Sequence, residues 1–531
     1  MYRLPAPYRE GFYVLSLLLI AAGLPLSKFF LGLAGFVCGI NWLWEGEFAE
    51  KWNRLKTNKT LWLIFAFFLL HVVGVFWSPD TKDAWRDVRI KLPLLIFPLV
   101  YGTIKPMRYK FVVWTLGTFV LATLISSLIT YCKSFDYRVG DEDDLREASR
   151  FVSLIRLSLM GALSVFIMAR WAIIKRRWFA VVLFIVIAVW YSFFFVQMRS
   201  LTGIVVLVSG CAVIWMVFVF RAKRKWIGFI PLLLIAGFIV FGGCKIYSTW
   251  QEIVPDANFD YKKQYGQLTR LGNGYTFNNI YAMSENGNLV YEYVCWEELD
   301  SVWTVRTGTK LKDRDAKGHV IEVTLLRYMA SKGLRKDEEG LMQLTDADII
   351  AVRNGQTNYK DATRNIFERR LYQVLWEIYH FSIGGNPSGN SVGMRLAFLN
   401  TAYITWSENM FFGVGTAGQT KSYMAYYART GSELTEEYRW MHAHNQFVSV
   451  AVTLGLVGLL LFLAMLVLPA YWLKRWTFGY VAFFTVLVVS FFTDDTLETN
   501  QGIMFYMLFT ILYLFAERRN PRFATTTHLE K

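Results

Sequence analysis

The stretch 441–469 reads MHAHNQFVSVAVTLGLVGLLLFLAMLVLP, and its part from 448 to 469 is an almost uninterrupted apolar run. A run of about 20 apolar residues is long enough to cross the hydrocarbon core of a bilayer as one helix. His442, His444 and Asn445 stand directly before it. The stretch therefore predicts a membrane-spanning helix with ionisable and polar side chains at its start.

Similar apolar runs occur along most of the chain. Of the 531 residues, 54% are hydrophobic and only 18% are charged, whereas a soluble domain carries about a quarter charged residues. We predict twelve spans, at 11–24, 26–44, 61–77, 90–104, 110–131, 151–169, 178–196, 201–220, 226–247, 446–469, 477–493 and 502–516. The predicted fold class is an all-α polytopic membrane protein.

The basic residues indicate how the chain is oriented. Lys and Arg in short connections stay on the cytoplasmic side. Alternate connections are basic, at 51–59, 105–110, 170–177, 221–225, 474–475 and 518–522, whereas 141–147 and 494–498 on the other side are acidic. We therefore predict that both termini are cytoplasmic. The same distribution accounts for the formal net charge of +15 without nucleic acid.

One large hydrophilic segment divides the chain. We predict transmembrane helices 1–9 within 1–247, an extracytoplasmic loop domain at 248–445, and helices 10–12 with a tail in 446–531. The loop domain is mixed but mainly helical. Its β-like runs are 288–296 and 301–308, with turns around Gly272–Gly274 and Asn286–Gly287. Helical spacing follows at 319–334, a capped helix starts after Thr345, a longer helix covers 362–381, and 395–412 is an amphipathic segment.

The five cysteines show no metal-binding spacing. Cys132, Cys244 and Cys295 fall at or beyond the extracytoplasmic face, where a disulfide is chemically open. The glycine-rich GVGTAG at 413–418 matches neither a Walker A motif nor a dinucleotide fingerprint, so we interpret it as a flexible, close-packing turn.

Three features on the predicted extracytoplasmic side can carry chemistry: the histidine pair with Asn445, Arg199 in VQMRSLTG, and Arg395. A guanidinium binds phosphate with two parallel hydrogen bonds, and a neutral imidazole accepts a proton from a hydroxyl. Such a set suits transfer of a sugar from a lipid pyrophosphate. Because pyrophosphate is a good leaving group, this reaction does not need a pair of catalytic carboxylates. The alternatives are an interfacial anchor for Arg199 and a solvated side chain for Arg395.

Other readings of the same region stay open. Arg89 and Lys91 are further candidate phosphate contacts, with interfacial snorkelling as the alternative. The HxH spacing with Asp494, Asp495 and Glu498 resembles a zinc ligand set, but two histidines are a weak signal. A third reading makes His442 a polar surface residue while His444 caps or orients the start of the helix, and we favour that surface role for His442.

These residues together resemble the O-antigen ligase and polymerase superfamily of bacterial envelope glycosyltransferases. The family ends its large loop with His-Asn before a "tGl.G" helix, which appears here as His444, Asn445 and TLGLVGLLLFL. Its "R…ENPlfGvG" motif appears as Arg395 with ENMFFGVGTAG at 408–418. LRYMASKGLRKDEEGLMQLTDADI and GNPSGNSVGMR resemble Bacteroides-like members, so the resemblance covers nearly the whole chain. Met410 replaces the usual proline, and Phe398 stands near a common tryptophan.

The resemblance implies a GT-C-like glycosyltransferase of the bacterial inner membrane that uses no cofactor and no metal. It would move glycan from undecaprenyl pyrophosphate to a lipid A–core acceptor at the periplasmic face. Carried over by position, His444 is the base, and Arg199 and Arg395 contact the pyrophosphate, with Asn445 and Arg89 as further substrate-binding candidates. The alternatives are a polymerase of lipid-linked repeats and, from another class, a polysaccharide or lipid transporter.

Overall fold

The computed structural model describes residues 6–137, 147–221, 229–255, 266–276, 283–431 and 434–516. Most of the predicted acidic connection at 141–147, the basic residues 222–225 and the basic tail at 518–522 lie outside these residues. The chain forms two compact units: the first holds 1–228, 399–430 and 440–531, and the second holds 229–398 and 431–439. These units are defined by packing, so the functional division at 247 and 445 stays a prediction.

The described residues are mostly helical, as predicted. The helices are α1 (Ala6–Leu26), α2 (Lys28–Glu45), α3 (Phe48–Thr57), α4 (Lys59–Val73), α5 (Thr81–Lys91), α6 (Pro93–Thr103), α7 (Tyr109–Tyr137), α8 (Leu154–Lys175), α9 (Trp178–Gln197), α10 (Leu201–Arg221), α11 (Phe229–Ile253), α12 (Trp296–Thr307), α13 (Ile321–Ser331), α14 (Glu338–Met342), α15 (Asp346–Arg353), α16 (Ile366–Ser382), α17 (Ser391–Glu408), α18 (Gln419–Thr430), α19 (Gln446–Trp472), α20 (Phe478–Thr493) and α21 (Asn500–Thr510). A π-helical turn, Ile511–Ala516, continues α21.

Six of these helices are long and apolar enough to cross a membrane, or seven if the bent pair α2–α3 is one span, counting only the described residues. The six lie in α1, α4 with its 3₁₀ extension to Trp77, α7, α8, α9 and α19. Each predicted span overlaps a helix of the described residues, with 226–228 of the ninth span outside them, but α6 has 11 residues. At 1.5 Å per residue it covers about 16 Å of a roughly 30 Å core, so α6 is shorter than the span predicted at 90–104, which also includes the end of α5. The chain is an all-α membrane protein, and the number twelve stays a prediction.

Polar caps mark where several apolar helices begin. Asn58 accepts a hydrogen bond from the Thr60 backbone N–H, and Thr477 accepts one from that of Tyr480. The first N–H groups of a helix have no partner inside it, so a side-chain oxygen one residue earlier stabilises the start. These caps fix where α4 and α20 begin.

The core of the first unit lies around α8 and α21. α8 is buried on nearly all sides from Leu157 to Ile167, and α21 with its π-helical turn is buried from Gln501 to Leu514. Glycines allow close helix packing here: a Cβ at Gly161 would meet the Tyr191 ring at 2.6 Å. α8 is therefore the element against which its neighbours are fixed.

The second unit contains a minimal β-hairpin, β1 (Ser284–Glu285) and β2 (Asn288–Leu289), which pair antiparallel. Its turn is the predicted Asn286–Gly287, with φ of 47° and 79°. Two successive positive φ angles are typical of a type I′ turn, which Asn-Gly favours. The turn prediction is therefore confirmed.

The β-like reading of 301–308 is wrong, because most of this segment lies in α12. Glu297 and Glu298 stand in the first turn of that helix, and Gly308 ends it with φ of 70°. Leu299 and Trp303 are buried four residues apart on one face. Burial of that face outweighs the strand propensity of valine and threonine. The predicted start after Thr345 is confirmed by a capping box, while the helix predicted from 362 begins at Ile366.

A buried carboxylate joins three elements of the second unit. Glu285 accepts hydrogen bonds from Arg327 on α13 (2.7 Å) and from Tyr372 on α16 (2.9 Å). The Arg327 guanidinium also lies 3.8 Å from the centroid of the Trp376 ring. Burial raises the pKa of Glu285. A buried charge is tolerated when it is paired and hydrogen-bonded in this way, so these side chains fix the hairpin to α13 and α16.

All five cysteines are free thiols. Cys132 and Cys244 are exposed and Cys295 is buried. The structure therefore contains no disulfide among the cysteines considered open to one.

Candidate active site

The start of α19 is organised by Asn445 rather than by His444. The Asn445 side-chain oxygen accepts hydrogen bonds from the backbone N–H groups of Phe447 (3.0 Å) and Val448 (3.1 Å). His444 precedes this cap with φ of 48° and a side chain that is 33% exposed. Asparagine is a preferred N-cap, whereas a positive φ is uncommon for histidine. The reading that His444 caps the helix is wrong, and its imidazole remains accessible.

His444 lies beside two carboxylates of the connection between α20 and α21. Its Nδ1 is 3.9 Å from Asp495 Oδ1, an ion-pair distance. Possible ligand atoms of His444, Asp494 and Asp495 all lie within 4.8 Å of one another. Burial, together with the negative charges of Asp494 and Glu498, raises the pKa of Asp495 to about 7. Asp495 thus changes its charge near neutral pH, next to the imidazole.

Gln446 fixes this acidic connection to the start of α19. Its Oε1 accepts a hydrogen bond from the Leu497 backbone N–H at 2.6 Å, and its Nε2 donates to Glu498 Oε1 at 3.0 Å. Gln446 is 1% exposed. Since Gln446 follows the Asn445 cap directly, it fixes the positions of the two carboxylates relative to His444. We call this arrangement the frame around His444.

A buried ion triad supports the same frame. Lys91 Nζ lies 2.7 Å from Asp87 Oδ1 and 2.7 Å from Glu498 Oε2. Burial raises the pKa of Glu498, but the Lys91 ammonium outweighs it and lowers the pKa to about 2. Lys91 is 2% exposed. Both predicted roles of Lys91, phosphate contact and interfacial snorkelling, are therefore wrong, because its charge is used within the protein.

His442 is a structural residue rather than a polar surface residue. Its Nδ1 lies 2.9 Å from Gln419 Oε1 and its Nε2 3.3 Å from Thr420 Oγ1. Gln419 Oε1 can only accept, so Nδ1 carries the proton and Nε2 accepts from the threonine hydroxyl. Burial lowers the pKa of His442. It is neutral with both nitrogens occupied, which leaves His444 as the candidate base of the pair.

The GVGTAG turn packs directly against a break in α19. Gly455 has φ of 67° and ψ of −164° inside that helix. The freed backbone groups pair with the segment 410–415: Val414 N–H to Val452 O (2.9 Å), Gly415 N–H to Thr453 O (3.0 Å) and Leu456 N–H to Met410 O (2.8 Å). Irregular backbone at membrane depth is tolerated where protein covers it. The close packing predicted for this turn is confirmed. Its backbone hydrogen bonds hold the ENMFFGVG segment against the TLGLVG segment of α19.

Arg199 lies at the His444 end of the first unit, defined as the end where α8 and α19 begin. It is exposed, with φ of 50°, in the turn between α9 and α10. The neighbouring Ser200 hydroxyl lies 2.6 Å from that of Ser158 near the start of α8. The turn is thus anchored at the end of the unit that carries His444.

The other predicted site arginines are exposed. Arg395 lies on the first half of α17, within the second unit, and Arg89 lies near the end of α5. A common site of Arg395 and His444 stays a prediction. His71 and His380 are structural as predicted: His71 Nδ1 is 3.0 Å from Phe67 O, and His380 stacks on Trp376 with centroids 5.0 Å apart.

Sequence reasoning missed Arg156, Asp87 and the pairing role of Glu498. Arg156 Nη2 lies 3.6 Å from Asp494 Oδ2. Arg156 stands five residues after the predicted start of the span at 151–169, and Asp87 stands four residues before Lys91. A list of charges near span ends and of i,i+4 pairs would have found both.

These observations define a membrane protein whose histidine-bearing helix start is framed by carboxylates and basic side chains. Residues 357–463 match a family model described as O-antigen ligase. The matched part includes α16, α17, α18, His444 and the first part of α19, so the resemblance to the O-antigen ligase superfamily is confirmed over this segment. No curated protein matches the chain.

Proposed function

We propose that the protein is an O-antigen ligase-type glycosyltransferase. It transfers glycan from undecaprenyl pyrophosphate to a lipid A–core acceptor. The observation that carries the proposal is His444, which lies in the matched segment with its accessible imidazole 3.9 Å from Asp495. A base held at the start of a membrane helix suits two substrates that are both anchored in lipid.

The proposed location is the bacterial inner membrane, with twelve spans, both termini in the cytoplasm and the loop domain in the periplasm. The alternation of basic and acidic connections supports this orientation. The six helices of sufficient length and apolarity, among the described residues, support the membrane assignment. His444, Asp495 and the Arg199 turn then face the periplasm.

The proposed reaction needs one base and stabilisation of the leaving group. The acceptor hydroxyl oxygen attacks the anomeric carbon of the glycan, and its proton passes to His444. The bond from that carbon to the pyrophosphate oxygen breaks, and undecaprenyl pyrophosphate leaves with the electron pair. Ionised Asp495 stabilises the imidazolium that forms. Arg199 and Arg395 bind the pyrophosphate charge, with Arg89 as a peripheral contact, and Asn445 orients the helix start.

We propose that the reaction needs neither metal nor cofactor. Glu498 is already paired with Lys91 and Gln446. The compact group of His444, Asp494 and Asp495 is nevertheless the place where a cation would bind, so chelation is part of the test.

A polymerase that joins lipid-linked repeats is the nearest alternative, since the same base and the same leaving group serve it. The acceptor alone distinguishes the two. A transporter is the alternative from another class, and it would tolerate the loss of His444.

The test is reconstitution of purified protein in proteoliposomes with undecaprenyl-pyrophosphate-linked glycan and lipid A–core, with and without EDTA. Joined glycan–lipid A–core in both samples is the expected result. Longer glycans still on the carrier identify a polymerase instead. Product lost with EDTA and restored by a divalent cation contradicts metal independence, and glycan moved without a new bond identifies a transporter.

A further inference from the structure

Arg156 stands where a membrane helix of the first unit begins. Ser153 caps α8, and Arg156 lies in its first turn with a side chain that is 18% exposed. The residues that follow are apolar and buried. A mostly buried guanidinium at this position carries a large desolvation cost unless its donors are satisfied.

Within the described part of the chain, the Arg156 guanidinium has a single charged partner. Nη2 lies 3.6 Å from Asp494 Oδ2, beyond the roughly 2.7–3.2 Å of an N–H···O hydrogen bond. Nε is buried and has no hydrogen-bond partner among the described residues. A guanidinium offers five N–H donors, so most of its capacity is unused.

The partner that Arg156 does have belongs to the candidate site. Asp494 forms the compact group with His444 and Asp495, whose possible ligand atoms lie within 4.8 Å of one another. Asp494 therefore has a second attraction, to a protonated His444, that competes with Arg156. An ion pair at 3.6 Å in such a group is poorly fixed, and an anion with several oxygens can replace it.

We propose that Arg156 is a further binding residue for the pyrophosphate of the lipid-linked donor, and that Asp494 is its counter-ion in the empty site. This inference rests on the proposed function. When the donor binds, phosphate oxygens accept from the terminal Nη groups of the guanidinium, whose hydrogen bonds Asp494 does not satisfy at 3.6 Å. Asp494 is then released toward the imidazolium of His444.

The test compares Arg156→Lys, Arg156→Gln and Asp494→Asn in the reconstituted transfer assay over a range of donor concentrations. Both Arg156 variants raise the donor KM by about tenfold or more, because a bidentate charge-assisted contact is lost. Asp494→Asn leaves the donor KM unchanged or lowers it, because it removes a competitor for Arg156. If the pair is only structural, Asp494→Asn and Arg156→Gln lower the melting temperature alike and neither shifts KM.

Arg429→Gln is the matched control, since Arg429 pairs with Glu408 at 2.6 Å on the exposed surface of the same unit. We expect it to leave the donor KM unchanged. Monodispersity in detergent shows that each variant is folded. If Arg156→Gln is not monodisperse, the charge-conserving Arg156→Lys is used for the KM comparison instead.

A binding arm without turnover separates this inference from the proposed function. Thermal shift is measured in zwitterionic nanodiscs containing undecaprenyl pyrophosphate or, separately, phosphatidylglycerol. Stabilisation by undecaprenyl pyrophosphate that Arg156→Gln abolishes supports the inference even if no transfer occurs. Equal stabilisation of parent and variant by undecaprenyl pyrophosphate overturns the inference. It is also overturned if phosphatidylglycerol stabilises the parent as much as undecaprenyl pyrophosphate does and Arg156→Gln abolishes that stabilisation too, because Arg156 then binds lipid headgroups in general.

Discussion

The Lys91 ammonium lies 2.7 Å from the Glu498 carboxylate, although 407 positions separate them in the sequence. The pair joins the end of α5 to the connection that carries Asp494 and Asp495. Gln446 donates to the other oxygen of the same carboxylate. The frame around His444 therefore depends on one buried charge from the first hundred residues of the chain.

We predict that Lys91→Met strongly destabilises the first unit, because it removes the buried cation that pairs with the partly buried carboxylates of Asp87 and Glu498. Breaking a buried ion pair from one side costs about 3–5 kcal/mol. The melting temperature in detergent measures the effect. Lys105→Gln is the control, since Lys105 is 61% exposed in its pair with Glu47 at 3.1 Å. Such surface pairs contribute about 0–1 kcal/mol, so equal losses in the two variants contradict the assigned burial.

The helices were predictable because a chain in lipid must satisfy its backbone hydrogen bonds within each segment, which makes apolar runs and helices coincide. The loop domain follows no such rule, and strand propensity misled at 301–308, where Leu299 and Trp303 bury a helical face. The position of His444 and Asn445 at the start of α19 was predictable from their motif, whereas their roles toward a substrate stay predictions. The Lys91–Glu498 pair and the Arg156–Asp494 pair were not, because periodicity carries no information about contacts between distant elements.

We predict that Gly455→Ala disrupts the break in α19. A Cβ there would lie 2.2 Å from backbone atoms of Phe411, and φ of 67° disfavours any side chain. The melting temperature and the yield of monodisperse protein should both fall. Gly117→Ala is the control within the apolar helix α7, where a Cβ meets nothing within 4 Å. Since alanine favours helix over glycine by about 1 kcal/mol, Gly117→Ala should be neutral or stabilising.

A stable Gly455→Ala variant with parent-like transfer would show that the contact between 410–415 and the broken helix is dispensable.

We predict that transfer depends on pH through Asp495. The pKa of this acid is raised to about 7, so its carboxylate forms as pH rises through that value and can then stabilise the His444 imidazolium. The rate should therefore rise between about pH 6 and pH 8. Asp495→Asn should be slower at high pH and should lack this step. The measurement is the initial rate against pH at saturating donor and acceptor, and an unchanged profile in Asp495→Asn would refute the assignment.

The same shift has a consequence for stability. The folded form of Asp495 binds its proton more tightly than the unfolded form, whose pKa is near 3.9. The contribution of protonated Asp495 to the free energy of unfolding is therefore complete below the unfolded-state pKa, and it is lost as pH rises through about 7. Asp495→Asn should be more thermostable than the parent at pH 8, and the difference should shrink toward pH 5.

We predict that Arg199→Lys transfers poorly although it keeps the positive charge. Lysine is a point charge without the planar fork, so it cannot make two parallel bonds to a pyrophosphate. Folding should be preserved, because Arg199 is exposed and the turn is fixed by Ser200 with Ser158. The donor KM and kcat of the reconstituted enzyme measure the effect. Activity equal to that of the parent would reduce Arg199 to an interfacial anchor.

We predict that His444→Ala abolishes transfer while membrane insertion and abundance stay normal. Removing a general base costs about 10²–10⁴-fold in rate, and the helix start keeps its Asn445 cap. His319→Ala in the second unit is the control, because this side chain is 63% exposed. His442→Ala separates chemistry from structure: it removes the bonds to Gln419 and Thr420, so it should lower the melting temperature. Near-normal product from a folded His444→Ala variant would remove His444 as the base and favour the transporter alternative.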